Sequence, residues 1–99
     1  MMTSRMKRRL KREFSNSRPT VWVGKEGATP QILNEVSRQL EQHEVVKGRI
    51  LQMALKDADA KELSERIAKE TESTMVEVRG HTFILYRKRR KSKPSPLKH

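Results

Sequence analysis

The segment VGKEGATP, residues 23–30, lies between a run typical of a β-strand and the start of a predicted helix. Residues 20–23 (TVWV) have the β-branched and aromatic side chains that favour a short strand. Thr29 is a candidate N-cap, and Pro30 suits the first helical position because a proline there loses no helical hydrogen bond. The segment therefore predicts a strand, a glycine loop and a helix in immediate succession.

Residues 4–14 (SRMKRRLKREF) are predicted to form a basic amphipathic helix. Met6, Leu10 and Phe14 recur every four positions and form one apolar stripe, with Ser4 as a candidate N-cap. Much of the remaining circumference carries four cations: Lys7, Arg8, Lys11 and Arg12. We expect the stripe to pack on the domain while these cations face outward.

The rest of the chain predicts two further helices and three further strands. One helix is expected from Pro30 to about residue 42, and another from the capping-box pair Asp59 and Glu62 to about Thr71. Strands are expected at three segments: 44–53, 74–79 and 82–87. Only Gly80-His81 separates the last two strands, which predicts a hairpin with a type II′ turn.

The order α-β-α-β-α-β-β predicts an α/β protein of the α+β two-layer kind, with a four-stranded mixed sheet. Strands joined by a helix would be parallel if they pair directly, and the last two strands would be antiparallel. One domain, residues 1–88, is expected to include the basic N-terminal helix. Residues 89–99 lack periodicity and contain two prolines, so they are predicted to be a disordered basic tail.

The composition sets further limits on the class of protein. The 99 residues suit one domain with one modest core, and the absence of cysteine excludes disulfides and cysteine-ligated zinc. No apolar run approaches the roughly 20 residues that span a bilayer, and no hydrophobic segment follows the basic N-terminus as in a secretory signal. We therefore expect a cytoplasmic protein.

The net charge of +11 is concentrated at the two ends of the chain. Residues 1–18 hold seven basic residues and one acid, and residues 87–99 hold seven basic residues and no acid. Residues 19–86 hold nine basic and eleven acidic residues, a net charge of −2. Basic ends around a nearly neutral middle are typical of arms that contact a polyanion, although solvated ends without a binding role would look the same.

The order strand, G-x-x-G, helix brings backbone N–H groups and the positive end of a helix dipole to one place. Gly24 and Gly27 have no Cβ, so another backbone can approach closely, and Lys25 adds a cation at the tip. These properties suit a phosphodiester backbone. The spacing matches neither a P-loop nor a dinucleotide-binding fingerprint, and the same glycines also fit a turn that serves geometry alone.

Three segments resemble the CRM domain, the RNA-binding module named for chloroplast RNA splicing and ribosome maturation. They are V-G-K-E-G-x-T-P at 23–30, Q-L-E-Q-H-E-V-V-K at 39–47 and V-R-G-H-T-F-I-L-Y-R at 78–87. The resemblance covers about residues 5–88 and implies a fold similar to the C-terminal domain of translation initiation factor three. Gly48 departs from the family pattern, in which a bulkier strand residue is expected, and leaves the regularity of the second strand open.

The resemblance also implies that the glycine loop contacts RNA, as the related loop does in KH domains. It further implies that single-domain members of the family associate with precursors of the large ribosomal subunit. The expected partner is therefore ribosomal RNA or a pre-ribosomal particle, and we expect the free protein to be a monomer. The alternatives are a general basic binder of DNA or RNA with chaperone-like activity, and a splicing-type RNA cofactor.

The predicted RNA-binding residues come from the glycine loop, the basic helix, the second strand and the end of the last strand. They are Gly24, Lys25, Glu26, Gly27, Lys7, Arg8, Lys11, Arg12, Lys47, Arg49 and Arg87. Lys47 and Arg49 lie on the strand face opposite Val46 and Ile50. For these two residues, a strand face that is exposed to solvent without binding RNA is an equally good interpretation.

The four aromatic residues do not predict a base-stacking surface. Phe14 and Phe83 are expected in the core, Trp22 is expected to pack although it could also face a ligand, and the place of Tyr86 is open. With so few rings, backbone and shape contacts are expected to provide the affinity. Duplex DNA would require clustered readout side chains, and a membrane surface would require a wider apolar helix face.

No catalytic or metal-binding pattern is present in the sequence. His43, His81 and His99 are scattered, and no nucleophile is spaced for activation by a neighbouring base. No carboxylate and histidine spacing suggests a metal site. We expect a protein that is not an enzyme and that needs no cofactor, metal or small-molecule substrate.

Overall fold

A computed structural model describes residues 3–55 and 59–88 of the chain. Its elements follow the predicted order and are α1 (Ser4–Phe14), β1 (Val21–Val23), α2 (Pro30–His43), β2 (Val45–Ile50), a 3-10 helix (Gln52–Leu55), α3 (Ala60–Glu70), β3 (Thr74–Arg79) and β4 (Thr82–Tyr86). In these two ranges, none of the helices has the length and apolar character needed to traverse a bilayer. The tail predicted at residues 89–99 lies outside the described residues.

The four strands form one mixed sheet in the order β1-β2-β4-β3, which confirms the predicted fold class. β1 and β2 are parallel, as expected for strands joined by a helix. β4 pairs antiparallel with both β2 and β3, so it lies between them and β2 and β3 do not pair directly. The same end of the sheet therefore carries the glycine loop after β1 and the hairpin turn between β3 and β4.

Apolar side chains pack on both faces of the sheet. The main core lies between one face and helices α2 and α3, and its fully buried side chains include Val23, Leu40, Ile67 and Phe83. On the other face, Leu10 of α1 packs with Val76 and Ile84, flanked by the rest of the predicted stripe. The stripe therefore docks as predicted, and α1 covers only part of its face.

Local signals set the helix ends. The Thr29 hydroxyl accepts a hydrogen bond from the Ile32 N–H at 3.1 Å, with Pro30 at the first turn, and Asp59 forms the predicted capping box with Glu62. The prediction for α1 was wrong by one residue, because the hydroxyl that accepts from the Met6 N–H belongs to Thr3 and not to Ser4. Each cap satisfies an N–H group that has no partner inside the helix.

β2 is shorter than predicted and ends at Ile50 instead of continuing to residue 53. Its parallel partner β1 ends at Val23, and the Leu51 N–H donates a last hydrogen bond of 2.8 Å to the Val23 carbonyl. Beyond that point, none of the strands in residues 3–55 and 59–88 continues the ladder on this side. The chain therefore turns into the 3-10 helix.

Gly48 is explained by its neighbour Phe83. The two residues are paired across β2 and β4, and a Cβ at position 48 would overlap the buried Phe83 ring. β2 nevertheless pairs regularly with β4, and the irregularity in the sheet lies in β3, between Met75 and Glu77. The missing side chain thus lets an aromatic ring fill the core without bending the strand.

Candidate nucleic-acid interface

The loop after β1 is a tight turn with two charged residues at its tip. The Gly27 N–H donates to the Gly24 carbonyl at 2.9 Å, which closes a four-residue turn with Lys25 and Glu26 exposed in the middle. Gly27 has φ +75, a left-handed conformation that costs glycine little. The Thr29 N–H then donates to the Gly27 carbonyl at 2.9 Å and leads the chain into α2.

Several backbone donors of this turn are unused within the protein. In residues 3–55 and 59–88, the main-chain N–H groups of Gly24, Lys25, Glu26 and Ala28 donate no hydrogen bond to another residue. They lie immediately before α2, where the helix dipole favours negative charge. An anion at this turn could accept hydrogen bonds that the fold itself leaves unmade.

Hydrogen bonds at the ends remote from the turn join the two elements that the turn connects. The Gln39 amide of α2 donates to the Thr20 carbonyl at 3.2 Å and to the Glu35 carboxylate at 2.7 Å. Arg38 donates to the same carboxylate, and the bonds from Arg38 and Gln39 lower the pKa of Glu35 below its ordinary value. α2 is thereby joined to the residue that precedes β1, so the loop connects two fixed elements.

The basic helix α1 presents its cations to solvent. Arg8, Lys11 and Arg12 are exposed and Lys7 is half-buried. None of the four forms an ion pair with another residue in the described part of the chain. Their charge is therefore available to an outside anion.

Lys47 has a structural contact that the sequence did not predict. Its Nζ donates hydrogen bonds of 2.9 Å to the carbonyls of Phe14, Ser15 and Ser17, at and beyond the end of α1. An ammonium group has three donors, and all three are used here. The side chain therefore ties α1 to β2, and the predicted RNA contact of Lys47 stays a prediction that this structural role does not favour.

Arg87 is likewise engaged within the fold. Nη1 donates to the Thr71 carbonyl at 2.8 Å, while Nη2 donates to the Ser37 carbonyl and the Glu41 carboxylate at 3.1 Å each. The side chain is only 20% exposed. Arg87 therefore links α2 to the end of α3, and its predicted role as an RNA contact stays a prediction that these internal bonds do not favour.

Lys47 and Arg49 form a matched pair for testing these assignments. We expect Lys47→Met to lower the free energy of unfolding by about 1–3 kcal/mol, because three carbonyls lose a charged donor. Arg49 is exposed and its side chain has no hydrogen bond to another described residue, so Arg49→Met should change stability by less than about 0.5 kcal/mol. Urea denaturation measures both. Equal stability losses in the two variants would contradict the structural role of Lys47.

One row of side chains crosses all four strands on the face that α1 covers only in part. Backbone pairing places Trp22 beside Arg49, Arg49 beside Thr82, and Thr82 beside Arg79. Paired residues share a face, and in β1 and β2 the neighbours of Trp22 and Arg49 are buried on the opposite face. The expectation that Trp22 packs was wrong, because the side chain is 53% exposed.

The exposed row connects with the cations of α1. Arg79 lines a shallow groove together with Arg8, Lys11 and Arg12, and the acid Glu77 lines it as well. α1 and the row therefore form one continuous surface in which cations outnumber acids. At the other end of the row, Trp22 is two residues from the first glycine of the turn. Sequence reasoning missed Arg79 because only the strand pairing reveals which side chains share its row.

The described residues contain no candidate metal site that would suggest a different function. Within residues 3–55 and 59–88, no group of three histidine, aspartate or glutamate side chains is placed to hold a metal ion. His43 ends α2 and His81 lies in the hairpin turn, both exposed. The features that converge on one region are therefore the turn, the exposed row and the basic helix.

The fold and this surface define a small α+β domain in which a G-x-x-G turn before a helix adjoins a basic helix and an exposed strand face. Residues 2–87 match the family model of the CRS1 / YhbY (CRM) domain. The chain belongs to the CRS1 / YhbY (CRM) domain family, as its resemblance to that family predicts.

Relatives from archaea and bacteria are similar over most of the chain. The probable RNA-binding protein MJ0652 of Methanocaldococcus jannaschii is 38% identical over 88 residues, which are 89% of this chain and 65% of that protein. The chain thus spans about two thirds of this archaeal relative. An RNA-binding protein of Haemophilus influenzae is 31% identical, over 87% of this chain and 85% of that protein.

A solved structure shares the fold. The solution structure of the hypothetical protein SAV1595 from Staphylococcus aureus, described as a proposed RNA-binding protein, superposes with a TM-score of 0.76 at 31% identity. The superposition covers 94% of this chain and 95% of that one. This likeness confirms the predicted fold.

Proposed function

We propose that this chain binds RNA and holds the phosphate backbone at the turn Gly24–Gly27. The observation that carries the proposal is a set of four main-chain N–H groups that have no acceptor among the described residues. They belong to Gly24, Lys25, Glu26 and Ala28, beside the N-terminus of α2. Such groups, together with the helix dipole, favour a phosphate oxygen. Lys25 adds a cation, whereas Glu26 contributes its amide only, because its carboxylate repels phosphate.

The cations of α1 and the exposed row extend the contact. Arg8, Lys11 and Arg12 share a groove with Arg79, and Arg49 leads from there towards the turn. These cations would neutralise phosphates without reading sequence. Lys47 and Arg87 are left out of the proposed interface because hydrogen bonds within the fold occupy them.

The relatives support RNA as the partner, since proteins of this family are named for RNA binding in both an archaeon and a bacterium. Within that proposal, we place the chain in the cytoplasm, on precursors of the large ribosomal subunit, as the family resemblance implies. We expect the free protein to be a monomer. Its action on the RNA would involve no catalytic step. Its task would be to hold RNA.

Competition binding tests the choice of RNA. A fluorescently labelled structured RNA is bound to the full chain at physiological salt, and unlabelled structured RNA, duplex DNA or anionic vesicles are added. We expect only RNA to displace the label efficiently, because the turn and the strand face suit an irregular backbone more than a uniform duplex. Equal competition by duplex DNA would contradict the proposal and favour a general basic binder.

A further inference from the structure

We propose that the side chain of Trp22 stacks on an unpaired RNA base, next to the turn that holds the phosphate. This inference rests on the proposed function and adds to it a site for the base. It assigns a role to the exposed indole, which the sequence pattern favoured as a packing residue. The ligand is a single-stranded nucleotide whose phosphate lies at the turn, with Arg49 beside the indole on the same face.

The exposure of Trp22 is the first reason for this inference. Trp22 is 53% exposed, although Val21 and Val23 on either side are fully buried. The described residues expose only one other large apolar side chain to this degree, Met53 in the 3-10 helix. An exposed indole on a sheet face leaves apolar ring surface in water, and stacking on a base would cover it.

The neighbours of Trp22 favour an anionic ligand over an apolar protein partner. Its paired residue is the exposed Arg49, and the row ends at the exposed Arg79. Within this row of four described residues there is no acid, although Glu77 lies on β3 near Arg79. A ligand that stacks on the indole therefore meets cations on the same face, as a nucleotide requires and an apolar peptide does not.

The place of Trp22 in the chain joins the base site to the phosphate site. Val23 alone separates Trp22 from Gly24, whose N–H is one of the unused donors. β1 is paired with β2, and its end is fixed by the hydrogen bond from Leu51 to Val23. One nucleotide could place its phosphate at the turn while its base, or that of its neighbour, reaches the indole.

The single tryptophan makes the test specific. Octaadenylate and an abasic ribose-phosphate oligomer of the same length are titrated into the wild-type chain, and both indole fluorescence and affinity are measured. We expect octaadenylate to quench the fluorescence and the abasic oligomer to leave it nearly unchanged. Trp22→Leu should bind octaadenylate about tenfold more weakly, within the range for loss of one stacked base, and bind the abasic oligomer as the wild type does.

Trp22→Phe is the matched variant, because it keeps an aromatic face and should retain most of the affinity. If octaadenylate binds with unchanged fluorescence and Trp22→Leu keeps wild-type affinity, the stacking site is wrong while the proposed function stands. If neither oligomer binds even at low salt, the proposed function is wrong and this inference falls with it. Should circular dichroism show that Trp22→Leu is unfolded, the quenching of the wild-type chain decides.

Discussion

Gly24→Asp is expected to weaken RNA binding about 100-fold, because a carboxylate at the turn repels the phosphate that the amides attract. The fold should tolerate the substitution. A Cβ at position 24 meets no atom within 4 Å, and Gly24 does not adopt the left-handed conformation that favours glycine. Fluorescence anisotropy with the labelled structured RNA measures the affinity, and thermal denaturation checks the fold.

Gly24→Ala is the matched control for this prediction. It adds a side chain without charge at the same open position and should change the affinity by less than about threefold. Gly27 is a poorer site for the test, since its φ of +75 strains any other residue. If Gly24→Asp binds RNA with wild-type affinity and is folded, the turn has no part in binding.

Neutralising the exposed cations of α1 should have the second largest effect. In the triple variant Arg8→Gln, Lys11→Gln and Arg12→Gln, three phosphate contacts would be lost. Each contact on single-stranded RNA contributes about 0.7 to the slope of log K against log salt, so the slope should become shallower by roughly 2. At 0.15 M salt the same relation corresponds to about a 50-fold loss of affinity.

A second variant separates local charge from total charge. Arg66 and Lys69 are exposed on α3, on the other side of the sheet from α1. Replacing both by Gln removes two positive charges, and we expect little change in the salt slope. If each charge removed from α3 changed the slope as much as each charge removed from α1, RNA would respond to the total charge of the protein and not to the α1 surface.

The order and ends of the elements could be predicted because their signals are local. Thr29 and Pro30 start α2, and the capping box of Asp59 and Glu62 starts α3, each within four residues. The position of β4 between β2 and β3 depends on pairing between distant segments. Local sequence signals indicate helix starts and turns, but they do not specify which strands become neighbours.

The difference between local signals and long-range contacts also explains which site residues were correctly predicted to be exposed and which were not. The cations of α1 follow from helical periodicity, and the structure places Arg8, Lys11 and Arg12 in solvent. Lys47 looks like a surface cation in the sequence, yet its three acceptors lie 30 to 33 residues away. Gly48 looked like an irregularity until Phe83, its partner in β4, accounted for it.

A titration of the ¹⁵N-labelled chain with a short single-stranded RNA, followed by amide chemical shifts, tests the central claim most directly. The account predicts that the largest shifts occur at the N–H groups of Gly24, Lys25, Glu26 and Ala28, which donate no hydrogen bond within residues 3–55 and 59–88. Saturable RNA binding that leaves these four amides unshifted, while other amides move, would contradict it.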